Sequence, residues 1–198
     1  MTPLPIEDRC RYCFSMKPEE NNDYCRVCAE REPVFSGCAS VFEYVGPAGT
    51  IIKKMKYSDM PYLSRGVAAF MFTQFLELEW PIPDVIIPVP LSFTHKIQRG
   101  YNQSELLGIE LGGYLEVPTQ NLLKRQKIGY SQAGLLRWQR EKLDSSYFAL
   151  KDPSKVENKT ILLIDDVYTT GSTLKACAEV LHGAFPEDIY ALTFCRAF

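Results

Sequence analysis

The residues best suited to chemistry lie together at Ile161-Leu-Leu-Ile-Asp-Asp-Val-Tyr-Thr-Thr-Gly-Ser-Thr173. Four consecutive aliphatics predict a strand buried on both faces, as in a parallel sheet. Asp165 and Asp166 follow where that strand is expected to end, and open α/β sheets bind ligands at the carboxyl ends of their strands. Thr169, Thr170, Gly171, Ser172 and Thr173 then form a hydroxyl-rich turn leading into a helix over Leu174–Leu181. Free backbone N–H groups, hydroxyl donors and a positive helix end hold phosphate, and Gly171 lets the backbone approach closely. Acids for ribose hydroxyls beside a phosphate cradle describe a site for a ribose 5-phosphate. Two other readings compete: helix-capping acids with an ordinary turn, and the magnesium-binding acid strand of a nucleotide hydrolase. The chain has no glycine-lysine phosphate loop, which counts against the hydrolase.

A second group offers metal ligands. Cys10-Arg-Tyr-Cys13 and Cys25-Arg-Val-Cys28 are separated by eleven residues, the spacing of two knuckles gripping one tetrahedral zinc. Four thiolates close the coordination shell, so such a zinc is structural. The polar segment holding Glu19, Glu20, Asn21, Asn22 and Asp23 builds no core, and metal binding would supply the folding energy. Disulfides or free thiols are the alternatives. The opening residues lack a basic start and an apolar stretch, which predicts no signal peptide, a cytoplasmic chain and no disulfides. Cys38 reads as a spare thiol, and Cys177 and Cys195 as small buried hydrophobes.

A 198-residue chain accommodates one α/β domain of about 150 residues and an appendage of about forty. The division expected is a four-cysteine zinc-binding module over 1–40 and a larger domain over 41–198. An apolar content of 46% excludes disorder, and no apolar run is long enough to span a membrane. With net charge −2, any nucleic-acid binding must rest on local patches.

The positioning elements alternate. Strands are expected at Val41–Val45, Asp84–Val89, Val117–Leu123 (weakly), Tyr147–Leu150 and Ile189–Phe194. Helices are expected at Ala48–Tyr57, Tyr62–Glu79, Asn102–Tyr114 and Leu135–Leu143, with Lys124–Gln132 a polar loop. Leu63, Val67, Phe70, Met71, Phe75 and Leu78 read as the packed face of the second helix. Strand–helix alternation implies a parallel sheet with right-handed crossovers.

The 161–173 segment resembles the 5-phosphoribosyl-1-pyrophosphate (PRPP) motif of type I phosphoribosyltransferases. That resemblance implies Asp165 and Asp166 on the ribose hydroxyls and Thr169–Thr173 on the 5-phosphate. Pro88-Val-Pro-Leu91, Arg99-Gly-Tyr-Asn-Gln-Ser-Glu-Leu-Leu107, the cysteine knuckles, Lys53–Tyr57 and Cys195-Arg196 narrow the likeness to the ComF family, over nearly the whole chain. The fold implied is a type I phosphoribosyltransferase-like parallel sheet flanked by helices, with the small four-cysteine zinc-knuckle module before it. The function implied is Mg²⁺-dependent displacement of pyrophosphate from PRPP through a transition state of oxocarbenium character, in a protein of competence, DNA uptake and natural transformation. Positioning and charge stabilisation dominate such catalysis. Val89, Pro90 and Leu91 resemble the loop that cups pyrophosphate, with Arg99, Arg137 and Arg140 as cations closing over it. Arg99 joins the two acids as a catalytic candidate.

Two departures stand out. Leu143 stands where the family has asparagine, and one set of knuckles stands where many relatives have more. Thr169 also occupies the position of the acid in purine-salvage relatives, and His95 and His182 fall outside the matched segments, which disfavours purine salvage. Two non-enzymatic readings remain. One is a single-stranded-DNA-binding or PRPP-sensing competence factor, using Lys53, Lys54 and Lys56, or Lys124, Arg125 and Lys127 with Tyr130 and Trp138 for stacking. The other is a scaffold whose zinc module docks other competence or DNA-processing proteins.

Overall fold

The computed structural model describes residues 1–17, 23–30, 33–91, 97–126 and 145–197. Among these, strands β1 (Gly37–Glu43), β2 (Val85–Pro88), β5 (Thr160–Tyr168) and β6 (Asp188–Arg196) form one all-parallel sheet in the order β1-β6-β5-β2. Strands β3 (Leu123–Arg125) and β4 (Phe148–Leu150) form a small antiparallel ribbon. The helices are α1 (Arg26–Ala29), α2 (Gly46–Tyr57), α3 (Leu63–Glu77), α4 (Gln103–Leu115) and α5 (Ser172–His182). The sheet is the type I phosphoribosyltransferase fold anticipated, with helices on both faces.

Strand β5 shows why this sequence makes that sheet. Side chains alternate across a strand, so an unbroken apolar run requires a core on each side. Leu162 and Ile164 join Met71, Ile86, Leu107, Leu111 and Phe194 on one face. Ile161 and Leu163 join Ile87, Leu174, Cys177, Leu181 and Ala191 on the other. Each such side chain contributes roughly 1.5–3 kcal/mol by burial, so neither layer is dispensable.

Several boundaries differ from the sequence expectation. β5 does not end before its acids; it continues to Tyr168, because β6 keeps pairing with it through Asp165↔Thr193 and Tyr168↔Arg196. β2 stops at Pro88, opposite Ile164. The acids therefore lie within β5 but just past the end of its other neighbour, where that edge is open. β1 begins at Gly37, as the small residues Cys38, Ala39 and Ser40 are buried, with the Ser40 and Thr193 hydroxyls 2.7 Å apart. Of the segment expected as a weak strand, Val117–Leu123, only Leu123 is in a strand; the rest adds one bridge from Thr119 to Ile86, since Pro118 has no N–H to extend a ladder. Lys124 and Arg125, expected in a loop, continue that strand, held by β4. The helix expected at Leu135–Leu143 lies outside the described residues.

Candidate functional site

The two acids occupy different surroundings. Asp165 Oδ1 accepts the Ser104 hydroxyl at 2.8 Å and the Asp166 backbone N–H at 2.9 Å. Burial, reinforced by the charge of Asp166, pushes the Asp165 carboxyl up to about 7, against the lowering effect of the Ser104 bond. Asp166 is 6% exposed and its Oδ2 lies 2.5 Å from the Lys56 ammonium. One acid is thus held by neutral donors and the other by a cation.

The donors come from two helix ends aimed at the open edge of β5. Asn102 caps α4, its Oδ1 accepting the Ser104 N–H at 3.2 Å while its Nδ2 donates to the Val89 carbonyl at 2.9 Å. One side chain thereby fixes both Ser104 and the turn after β2. Val89 N–H donates to the Ile164 carbonyl at 2.9 Å, so Val89 extends the β2–β5 pairing to the residue before the acids, and Pro90 and Leu91 follow it.

Beyond β5 the backbone turns through Gly171 at φ +75°, a left-handed conformation that glycine adopts without a Cβ penalty. Gly171 caps α5 and has no side chain to bond the helix; the Ser172 N–H donates to the Thr170 hydroxyl at 3.3 Å, and the N–H groups of Thr173 and Leu174 have no intrahelical acceptor. Thr169 and Thr170 are exposed, and the Thr170 and Ser172 hydroxyls lie 2.5 Å apart. Such a turn suits an anion. Tyr168 underpins it: a Cβ built on Gly171 would collide with the Tyr168 hydroxyl.

A cleft of about 690 Å³ opens beside Lys56, lined by Tyr57, Asp59, Gln98, Arg99, Gly100 and Tyr101. Arg99 lies 5.1 Å from the centroid of the Tyr57 ring and donates to Gln103 Oε1 at 3.2 Å. The Met55 carbonyl, one of the last of α2 and so without an intrahelical donor, accepts the Tyr101 hydroxyl at 2.5 Å. These contacts tie the Arg99–Ser104 segment to the end of α2. Arg137 and Arg140 lie outside the described residues, as do Lys127, Tyr130, Trp138, Leu143 and His95. Lys124 is exposed and Arg125 packs over Phe148, at 5.5 Å. His182 bonds the Val34 carbonyl at 2.9 Å.

The sequence pattern assigns no role to Ser104, Asn102 or Tyr168, and groups Lys56 with Lys53 and Lys54 as one cationic face. Lys53 and Lys54 are indeed exposed. A signal for Lys56 existed: it lies four residues after the fully buried Ile52, hence on the same helix face.

The sulfurs of Cys10, Cys13, Cys25 and Cys28 all lie within 4.8 Å of one another, with those of Cys13 and Cys25 3.6 Å apart. A tetrahedron with metal–sulfur bonds of about 2.3 Å has edges of about 3.8 Å, so the four thiols fit a structural zinc. Cys38 is outside this group; its burial pushes the thiol up to about 12, as expected of a core residue. For Mg²⁺, the partly open carboxylate of Asp165 beside Asp166 is the hard oxygen donor set such a cation takes.

The phosphoribosyl transferase domain family model matches residues 86–197, which span β2 through β6 and include every acid, turn and α4 residue described above. Competence protein F of Haemophilus influenzae is 28% identical over 95% of this chain and 84% of its own length. This chain belongs to the ComF family of phosphoribosyl transferase domain proteins. Competence protein ComFC of Streptococcus pneumoniae is 28% identical over 96% of the chain and 81% of its own length. The DNA utilization protein YhgH of Escherichia coli strain K12 is 27% identical over 87% of the chain and 77% of its own length. Among solved structures, the allosteric regulatory enzyme of purine biosynthesis superposes with a TM-score of 0.50 and 18% identity. That match covers 72% of this chain and 30% of the enzyme, and it bears on the fold alone. Among the described residues of this ComF-family chain, no helix is long and apolar enough to cross a membrane.

Proposed function

We propose that this protein binds Mg²⁺–PRPP and transfers its phosphoribosyl group to an acceptor nucleophile in the handling of DNA during uptake. The observation that carries this is the juxtaposition, at one open sheet edge, of two acids and a helix N-terminus preceded by a left-handed, hydroxyl-rich glycine turn. Asp165 and Asp166 take the ribose hydroxyls, and Thr169, Thr170, Gly171, Ser172 and Thr173 take the 5-phosphate. Val89, Pro90, Leu91 and Arg99 hold the pyrophosphate, joined by Arg137 and Arg140. Lys56 holds Asp166 in place. Mg²⁺ supplies neutralisation of the diphosphate as it leaves. In the reaction the C1–oxygen bond to pyrophosphate breaks as the acceptor bonds to C1, and the acceptor's proton passes to solvent.

Residues 1–40 serve as a structural zinc module and residues 41–198 as the transferase unit. The reducing cytoplasm is the compartment that suits a thiolate-held zinc. The link to DNA rests on the competence and DNA-utilization relatives.

The test is calorimetric titration of Mg²⁺–PRPP into the zinc-loaded protein, beside an Asp165→Asn/Asp166→Asn variant checked for native circular dichroism. Saturable binding by the wild type and its loss in the variant are expected. Absence of binding to folded wild type overturns the transferase reading and moves the weight to single-stranded-DNA or partner binding.

A further inference from the structure

The cysteine knuckle and the phosphate turn are joined through one side chain, Arg196. Arg196 ends β6 in register with Tyr168, which ends β5. Both are buried, at 7% and 5% exposure. The guanidinium lies 4.3 Å from the Tyr168 ring centroid. Its Nη1 donates to the Cys13 carbonyl at 2.7 Å and its Nη2 to the Ser15 hydroxyl at 3.1 Å. The far end of Tyr168 is the hydroxyl under Gly171. A continuous path of contacts therefore runs from a zinc-ligand residue, through a guanidinium and a phenol, to the glycine on which the turn pivots.

We propose that Arg196 is a positioning residue through which zinc in the cysteine knuckle sets the phosphate turn, so that metal and phosphoribosyl ligand bind with positive linkage. The proposal rests on the PRPP-site reading given above. The two states that linkage requires come from the knuckle, since a four-thiolate site draws its folding energy from the metal. Zinc with four thiolates is a net dianion, which favours a cation lodged against the first knuckle. With the knuckle ordered, Cys13 and Ser15 hold the guanidinium flat on Tyr168, and the phenol fixes the height of the turn. With the knuckle loosened, the guanidinium loses two acceptors, the ring gains room, and the turn no longer presents its donors in one geometry.

Linkage is reciprocal, so it can be read from the zinc side on the full-length, metal-loaded protein. Zinc affinity is measured by competition with a fluorescent chelator, with and without saturating ribose 5-phosphate, for wild type, Arg196→Lys and Arg196→Met. Calorimetry of ribose 5-phosphate and of Mg²⁺–PRPP runs in parallel. The expected result is about a tenfold gain in zinc affinity on saturating the wild type, in the range typical of coupled sites. In both variants the ligand should change zinc affinity by less than about twofold, although each still binds zinc. A purely structural Arg196 would lower thermal stability in the variants and leave the ligand-dependent gain intact, which overturns the proposal. Ligand binding without any change in wild-type zinc affinity also overturns it, while leaving the PRPP reading standing. No ligand binding by calorimetry overturns both.

Discussion

A carboxylate buried beside a second carboxylate keeps its proton to higher pH, and Asp165 meets both conditions, with its carboxyl pushed up to about 7. In the unfolded chain the same group titrates at about 3.9. Folding therefore takes up a proton between those values. Stability from this group is fully present below about pH 4 and is lost as pH rises through about 7. Asp165→Asn should flatten that loss, raising stability at pH 8 by on the order of 3 kcal/mol and hardly changing it at pH 4. Denaturant midpoints of both proteins at the two pH values measure this, and equal effects at both would contradict it. The same proton must leave when ribose hydroxyls donate to the carboxylate, so PRPP affinity should climb as pH rises to about 7 and level off above it. Lys56 bears on the other acid. Lys56→Met leaves the buried charge of Asp166 uncompensated and should cost about 3–5 kcal/mol, whereas Lys56→Arg, which keeps a cation there, should cost less. Equal losses in the two variants by denaturant titration would place the importance of Lys56 in its packing.

At the scale of elements, α4 carries two adjacent glycines with opposite expectations. A Cβ on Gly113 meets open space, so Gly113→Ala should stabilise the protein by about 0.5–1 kcal/mol through helix propensity alone. A Cβ on Gly112 would lie 2.6 Å from the Val117 carbonyl, which itself accompanies the backbone bond from Val117 N–H to Gly112 O. Gly112→Ala should therefore cost about 2 kcal/mol, and thermal melts of the two variants should shift in opposite directions. A shift in the same direction for both would mean that the chain after α4 yields. This contrast also shows what a sequence makes legible. Periodicity and apolar runs announce elements that satisfy themselves locally or bury two faces, as β5, α4 and α5 do. The pattern identified the parallel sheet for that reason, and the cysteine spacing identified the sulfur cluster. A three-residue strand such as β3 is made by its distant partner β4, and nothing local marks it. The same holds in the candidate site. The acids and the turn are contiguous and could be read, whereas Ser104, Lys56 and Arg196 reach them only through the packing of α4, α2 and β6.

At the scale of the whole molecule, the knuckle segment packs directly on the sheet. Leu4 and Phe14 share one core cluster with Ile52, Met71 and Phe194. The Leu4 N–H also bonds the Val41 carbonyl of β1 at 2.8 Å, and the Ser36 hydroxyl bonds Asp188 of β6 at 2.5 Å. The cysteine segment is thus stitched to the sheet by side chains from both ends of the chain. If zinc orders the knuckle, its binding energy stabilises Phe14 in place and is shared by the sheet. Stripping the metal with a strong chelator should then lower the melting temperature of the entire protein in a single cooperative transition. The expected fall is roughly 2–4 °C for each kcal/mol of linkage in a chain of this size. Differential scanning calorimetry with and without chelator measures it, and Cys10→Ser should reproduce the stripped profile with zinc present. An unchanged main transition, with only a small separate one lost, would mean that the knuckle folds as its own unit. In that case Phe14 and Leu4 would be passengers on a core complete without them. The 2% exposure of Phe14, packed among residues of α2, α3 and β6, argues the other way.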